Sequence, residues 1–220
     1  MKRLTEQEAY ECLADFIQDY IYDRGWEHLS SMQVCAIGEV LEKRHNLLFT
    51  AGTAMGKTEA ALMPALTDIY ENPVDSVGIL YISPLKALIN DQFYRIEEML
   101  AGTGLAITKW HGDAAVSRKE KLLNLPGGIL QTTPESLEAM LCRHPENVRI
   151  LFSGLQYIVI DEIHYFMGNQ RGAAASGTSG ADRENYRQRT GPAGVVCNCR
   201  GLQSGACLSE CWKQEEGAGH

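Results

Sequence analysis

Residues 46–66, NLLFTAGTAMGKTEAALMPAL, decide the fold of this chain. A short apolar run at 47–50 predicts a strand, the small residues after it predict a loop, and EAALMPAL predicts a helix. Further apolar runs follow in alternation with helical stretches: GILYIS (78–83), AITKW (106–110), GGILQT (127–132) and YIVI (157–160). Because these runs lack the polar alternation of half-exposed strands, we expect an α/β fold, a mostly parallel sheet with helices on both faces.

The regions on either side of this predicted sheet differ in composition. Residues 5–23 and 31–43 predict helices, so residues 1–45 form a helical segment ahead of an α/β domain at residues 46–172. Residues 173–220 contain no Ile, Phe or Met and show no periodic apolar face. We therefore expect this third segment to be a disordered or non-native tail.

Composition and charge limit the classes of protein to which this chain can belong. With 220 residues the chain has room for one good-sized α/β core but hardly for two full domains. The net charge is −8, and residues 173–220 carry five basic and five acidic side chains, so the negative excess lies in residues 1–172. This excess argues against a broad basic face, so any contact with nucleic acid should be local. No apolar run approaches the roughly 18 residues of a membrane-spanning helix, and we expect a cytoplasmic protein with no membrane partner.

The loop at residues 51–58, AGTAMGKT, lies between the predicted strand and helix, which is the context of a phosphate-binding loop. Small residues let backbone N–H groups turn toward phosphates, the helix N-terminus adds its positive end, and a lysine reaches the phosphate oxygens. Gly56, Lys57 and Thr58 supply these features, although Ala51 stands where the general pattern has glycine. The alternative is an ordinary loop that ends in a Gly-Lys-Thr helix cap, so a second motif is needed.

That second motif is YIVIDEIH at residues 157–164, a predicted buried strand that ends in two carboxylates. In an open α/β sheet such a strand end lies on the ligand side, where the phosphate loop also opens. Asp161 can hold the Mg²⁺ that bridges nucleotide phosphates, and Glu162 can orient or deprotonate the attacking water. The alternative is a solvated Asp-Glu pair, with His164 as a surface histidine, but the presence of Lys57 argues against it.

Three segments between these motifs complete a family pattern. ISPLKALINDQ (82–92) resembles motif Ia of superfamily 2 helicases, WHGD (110–113) resembles the turn that follows it, and TTPESLEAML (132–141) resembles motif Ib. Over about residues 20–172 the chain is similar to the first motor domain of that superfamily, and its motifs resemble those of the Lhr-like (large helicase-related) branch. The resemblance implies a RecA-like P-loop NTPase domain that uses ATP and Mg²⁺ and acts on a single strand of DNA or RNA.

The resemblance also implies which residues form the ATP site. The catalytic residues would be Glu162, Asp161 and Lys57, and the Mg²⁺ ligands would be Thr58 and Asp161. Tyr22 and Trp26 are weaker candidates for stacking near the adenine, since an aromatic residue on a helix more often belongs to the core. Residues that would contact ATP, with the first in the position of a Q-motif glutamine, are Gln33, Gly52, Thr53, Ala54, Met55, Gly56, Lys57 and Thr58.

A track for one nucleic-acid strand is also implied by the resemblance. Its contacts would come chiefly from backbone amides and helix N-termini. Without the family, Thr133 is simply a helix N-cap and Pro134 the first helical residue, and both interpretations can hold together. The residues implied for this track are Pro84, Leu85, Lys86, Thr133, Pro134 and Glu135.

The family's next motif, Ser-Ala-Thr on a strand between those of the phosphate loop and the acidic pair, does not appear after His164. Its loss should open the centre of the sheet. Codons for residues 196–203 permit Ser-Ala-Thr-Val-Gly-Asp-Tyr-Lys when read one nucleotide along, so we hypothesise a reading-frame change near residue 173. The resemblance then implies ATP-dependent unwinding for the parent protein. For this chain, which would lack the second motor domain, it implies weak nucleotide binding at most.

Other functions are open at this point. One is a non-catalytic nucleic-acid or nucleotide-binding module, and another is a P-loop ATPase unrelated to helicases, against which motifs Ia and Ib count. Zinc binding by Cys197, Cys199, Cys207 and Cys211 is a further alternative, but their spacing lacks the paired C-x2-C knuckles of common structural sites. We expect no zinc.

Overall fold

A computed structural model describes residues 4–42, 46–50, 56–112, 116–163, 165 and 193–198 of the chain. Within these ranges no helix is both long enough and apolar enough to cross a membrane. The elements, in chain order, are α1 (Glu6–Glu11), α2 (Asp15–Asp23), α3 (Ser31–Ile37), a π-helix (Gly38–Glu42), β1 (Leu47–Thr50), α4 (Lys57–Glu71), β2 (Ile79–Ile82), α5 (Lys86–Met99), β3 (Ile107–Trp110), α6 (Val116–Asn124), β4 (Ile129–Thr132), α7 (Pro134–Arg143), α8 (Pro145–Leu151), β5 (Tyr157–Ile160) and β6 (Ala193–Asn198).

The described strands form one sheet in the order β1-β6-β5-β2-β4-β3. Strands β5, β2, β4 and β3 are parallel to one another, and helices connect them along the chain. Parallel neighbours require such crossover connections, which is why apolar runs and helical stretches alternate in the sequence. The predicted α/β fold with a mostly parallel sheet is confirmed, and so are the five predicted strands.

Strand β6 differs from the expectation for the tail. It lies between β1 and β5 and runs antiparallel to both, with Val196 opposite Leu47 on one side and opposite Val159 on the other. The expectation that this position would be open is wrong. Backbone N–H and C=O groups pair with any extended segment, so a β-branched stretch such as AGVVCN can occupy the position without the family's motif.

Side chains of the parallel strands alternate between two hydrophobic cores, one on each face of the sheet. Tyr81 and Val159 belong to the core that includes residues of α4 and α5, whereas Leu80 and Ile158 belong to the core that includes residues of α7 and α8. Both faces are therefore covered by helices. Burial of one such apolar side chain stabilises the fold by about 1.5–3 kcal/mol, so strands without polar alternation are the expected solution.

The N-terminal helices pack against α4, mainly through α3. Helices α1 and α3 each begin with a capping box, at Thr5 and Ser30. The helix predicted over 5–23 is interrupted before α2, because Ala14 is extended and its backbone N–H donates to Thr67 Oγ1 of α4 at 3.2 Å. The helix predicted over 31–43 changes to a π-helix at Gly38.

Candidate functional site

The N-terminus of α4 is shaped by a glycine in the left-handed conformation. Gly56 has φ 72° and ψ 27°, and it is the N-cap of the 15-residue helix. A side chain there would be strained, and its Cβ would lie 3.0 Å from Nε2 of Gln33. The loop residues before it, including Gly52, Thr53, Ala54 and Met55, lie outside the described residues, so their predicted contacts stay predictions.

Gln33 lies next to this glycine, on α3. Its side-chain Oε1 accepts the N–H of Ser30 at 2.8 Å, its own N–H donates to Ser30 Oγ, and the side chain is buried. The capping box thus fixes the amide beside the start of α4. Of the two aromatic candidates, Trp26 packs edge-on against Tyr20, and Tyr22 is largely exposed.

One recess brings the polar residues of the two predicted motifs together. It is lined by Lys57 and Thr58, from the first turn of α4, and by Asp161, which follows β5. Strand β1 lies on the chain before the loop and β5 before the acidic pair, and apolar side chains of both strands form part of the wall. The recess is completed by Phe49, Ala61, Tyr81, Val159 and Ile160.

Asp161 is held by contacts to β2. Its backbone N–H donates to the carbonyl of Ile82 at 2.9 Å, and its Oδ2 accepts the hydroxyl of Tyr81 at 2.8 Å. Thr58 and Tyr81 both line the recess. Burial raises the pKa of Tyr81 well above its usual value, and the charge of Asp161 adds to the rise. Tyr81 therefore keeps its proton and acts as a donor to the carboxylate.

Glu162 has a φ of 52°, and it is the one non-glycine residue with positive φ in the described part of the chain. A residue other than glycine in this region costs of order 1–3 kcal/mol, and such positions cluster at functional sites. This strained residue directly follows Asp161, whose carboxylate contacts Tyr81. His164, the last residue of the motif, is outside the described residues.

An ion pair beside the start of α4 was not predicted from the sequence. Glu59, in the first turn of α4, is almost completely buried and pairs with Arg95 of α5. A buried carboxylate needs such a partner, because its desolvation is otherwise very unfavourable. The pair joins the helix that carries Lys57 to the helix that begins at Lys86.

The residues predicted to follow a nucleic-acid strand lie at the carboxyl ends of β2 and β4, which are adjacent and parallel. Leu85 is the N-cap of α5, and Lys86 is its first residue. Thr133 caps α7 by accepting the N–H of Ser136 at 3.3 Å, and Pro134 is the first residue of that helix. The predicted cap and helix start are therefore confirmed. Pro84 precedes the first helix start, and Glu135 follows the second.

The turn after β3 reaches the same edge. A Cβ at Gly112 would lie 3.9 Å from Nζ of Lys86, and Thr132 Oγ1 donates to the carbonyl of Trp110 at 2.7 Å. These contacts join the turn to the ends of β2 and β4. Asp113 lies outside the described residues.

Among the residues that the structure describes, there is no cluster of three or more His, Cys, Asp or Glu side chains that could hold a metal ion. Cys197 lies in β6, whereas the other three cysteines proposed for zinc are outside the described residues. The described residues therefore do not test the zinc alternative. A site built from one carboxylate and one hydroxyl, such as Asp161 and Thr58, is of a different kind and suits a hard cation that also binds phosphate.

Comparisons with known proteins agree with this geometry. A family model described as "DEAD/DEAH box helicase" matches residues 30–189. The chain is 32% identical over 192 residues to the ATP-dependent helicase Lhr-Core of Methanocaldococcus jannaschii, an alignment that covers 80% of this chain and 22% of that protein. The chain thus spans about a fifth of the length of this curated relative.

Two solved structures are similar as well. The DUF1998 helicase MrfA bound to DNA and AMPPNP gives a TM-score of 0.62 at 30% identity, covering 71% of this chain and 22% of that chain. The helicase Lhr of Mycobacterium smegmatis bound to ssDNA and AMP-PNP gives a TM-score of 0.65 at 24% identity, covering 75% and 22%. The second likeness shows the fold alone. The predicted RecA-like fold and the resemblance to Lhr-like proteins are confirmed.

Proposed function

The chain belongs to the DEAD/DEAH box helicase family, and we propose that it forms the ATP-binding half of an ATP-dependent helicase that acts on DNA or RNA. The observation that carries the proposal is the recess that brings Lys57 and Thr58 together with Asp161. An ammonium group and a hydroxyl at a helix N-terminus, with a carboxylate in the same recess, suit a bound triphosphate and its metal ion.

Each of these groups has a separate role in the proposal. Lys57 binds the β- and γ-phosphate oxygens, and the backbone N–H groups in the first turn of α4 add the positive end of the helix dipole. Gln33 fixes the position of the loop through its place beside Gly56. Glu162 orients the attacking water and accepts its proton.

Thr58 and Asp161 fit Mg²⁺, because hydroxyl and carboxylate oxygens are the ligands that this ion prefers. Both residues line the recess, where Asp161 accepts the hydroxyl of Tyr81, so the two oxygen donors lie in one place. When bound, Mg²⁺ would neutralise negative charge on the phosphates. The protein's part is to present the two oxygens in a fixed arrangement.

The nucleic-acid track of the proposal runs over the starts of α5 and α7. Pro84, Leu85 and Lys86 begin one helix, and Thr133, Pro134 and Glu135 begin the next. Helix N-termini bind phosphates through backbone N–H groups, which suits a chain whose net charge is −8. Support comes from the similar helicase MrfA, whose solved structure is bound to DNA.

We also propose that unwinding needs a second motor domain. The alignment covers 22% of the curated relative, so that protein is roughly four to five times as long as the matched region. In such motors a second domain closes on the ATP and supplies a charge that stabilises the transition state. The reading-frame change near residue 173 stays a prediction.

The binding part of the proposal is tested by titrating the 220-residue chain with a fluorescent ADP analogue in the presence of Mg²⁺. Lys57→Ala should weaken binding by about 100-fold, because it removes a charge-assisted contact to phosphate. Lys121→Ala is the matched control, since Lys121 is an exposed lysine on α6, away from the recess.

The control variant should bind as the wild type does. Equal affinity of Lys57→Ala and the wild type would overturn the assignment of the recess. A chain that binds nucleotide but hydrolyses none, with or without a nucleic-acid strand, would support the role of a binding half that needs a partner domain. Strand-stimulated hydrolysis by the isolated chain would contradict that need.

A further inference from the structure

Tyr81 is a buried tyrosine at the wall of the recess, and neither the phosphate loop nor the acidic pair contains it. It is the third residue of β2 and is almost completely inaccessible to solvent. Its hydroxyl donates to Asp161 Oδ2 at 2.8 Å, and Thr58 lines the same recess. The phenol thus contacts one of the two residues that the proposed function assigns to Mg²⁺ and shares a recess with the other.

The position of the phenol follows from strand register. Tyr81 is paired with Val159 on β5, and Asp161 follows Val159 by two positions, so it leaves the strand on the same face as Tyr81. Two residues of extended chain span about 6.6 Å, which is about the length of a tyrosine side chain. A tyrosine at this register position therefore reaches a carboxylate just beyond the end of the neighbouring strand.

We propose that Tyr81 is a positioning residue that holds the Asp161 carboxylate, as a preformed Mg²⁺ ligand, in the recess that it shares with Thr58. This inference rests on the proposed function. The phenol donates its one proton to Asp161 Oδ2. The second carboxylate oxygen stays available for a cation, together with the hydroxyl oxygen of Thr58.

A role for Tyr81 in core packing alone does not explain its hydroxyl group. The ring contributes to the core beneath α4 and α5, and phenylalanine would fill the same volume without a polar atom. A hydroxyl in a fully buried position needs a partner, and here that partner is a candidate metal ligand. Without the hydroxyl, Asp161 would lose a donor to its charged oxygen and could rotate away from Thr58.

The test compares two buried tyrosines on the same face of the sheet. Tyr81→Phe removes the hydroxyl beside the recess. Tyr157→Phe is the matched control, because Tyr157 is also fully buried, lies on β5, and directs its hydroxyl to Asp68 in the later part of α4. The 220-residue chain and each variant are titrated with a fluorescent ADP analogue, once with Mg²⁺ and once with EDTA.

Tyr81→Phe should weaken binding about tenfold in Mg²⁺, the size expected for one hydrogen bond to a charged group, and should leave binding in EDTA unchanged. In an Asp161→Asn background the same substitution should have a much smaller effect, since the two residues act through one contact. Tyr157→Phe should leave the ratio of the two affinities as in the wild type.

The outcomes separate this inference from the function on which it rests. A wild-type chain that binds no nucleotide overturns both. Mg²⁺-dependent binding in the wild type that Tyr81→Phe leaves unchanged, or that Tyr157→Phe weakens equally, overturns the role of Tyr81 and leaves the proposed function standing. Failure of Tyr81→Phe to fold, when Tyr157→Phe folds, would show a structural role and also overturn the inference.

Discussion

Two groups of residues lie at the carboxyl edge of the sheet, and they are built differently. The nucleotide recess depends on particular side-chain atoms, the ammonium of Lys57, the hydroxyls of Thr58 and Tyr81, and the carboxylate of Asp161. The proposed nucleic-acid track depends on where α5 and α7 begin, so most of its contacts would come from backbone groups. Single substitutions should therefore damage the recess much more than the track.

Among the substitutions that test this difference, Gly56→Ala should have the largest combined effect on stability and nucleotide affinity. A side chain at φ 72° is strained, and its Cβ would lie 3.0 Å from Gln33 Nε2, so both the helix start and the buried amide must shift. We expect the free energy of unfolding to fall by about 1–2 kcal/mol and nucleotide affinity to fall at least tenfold. Chemical denaturation and the ADP-analogue titration measure the two quantities.

The matched control for this glycine is Gly102→Ala. Gly102 has φ 79°, yet nothing lies within 4 Å of its added Cβ. Its substitution carries the same backbone strain without the contact at the recess, so it should lower stability and leave nucleotide affinity unchanged. If both variants weakened binding equally, the effect would be one of general stability and the contrast between recess and track would lose its basis.

An intermediate effect is expected for Thr133→Ala, at the start of α7. The substitution removes the cap to Ser136 N–H, and loss of such a cap lowers the free energy of unfolding by about 1 kcal/mol. Binding of a single-stranded oligonucleotide should weaken only two- to threefold, or roughly 0.5 kcal/mol, because the backbone amides stay in place. Thr133→Ser keeps the cap oxygen and should behave as the wild type does.

The smallest effect should come from Lys86→Ala, at the start of α5. Removal of one phosphate-binding charge should reduce the slope of log affinity against log salt by about 0.7 for a single strand. Fluorescence anisotropy of a labelled oligonucleotide over a range of salt concentrations measures this slope. Lys121→Ala is again the control, and an equal change in that variant would argue for general charge attraction instead of a defined track.

Much of the recess was predictable from sequence because it depends on local patterns. The strand before Gly56 and the strand before Asp161 end in the residues that line it, and carboxyl ends of strands in an α/β sheet meet at one edge. The cap at Thr133 and the helix start at Pro134 followed from residue type and position. These features require no knowledge of which strands are neighbours.

The contacts that the sequence did not reveal all depend on neighbours in space. Tyr81 meets Asp161 only because β2 lies beside β5, and strand order is not written in a single sequence. The pairing of Glu59 with Arg95 needs the packing of α4 against α5. Strand β6 was missed for another reason, because backbone pairing can hold a segment that has no apolar periodicity.

Strand β2 links the ATP recess to the start of α5. Tyr81 touches the Asp161 carboxylate, and Pro84, three residues farther along, precedes the helix proposed to meet the nucleic acid. Strand β2 is paired on both sides, with β4 and β5, so it cannot bend locally, and residues 83–85 separate its end from the start of α5. A displacement of the Asp161 carboxylate would therefore be carried by β2 as one rigid unit to within three residues of α5.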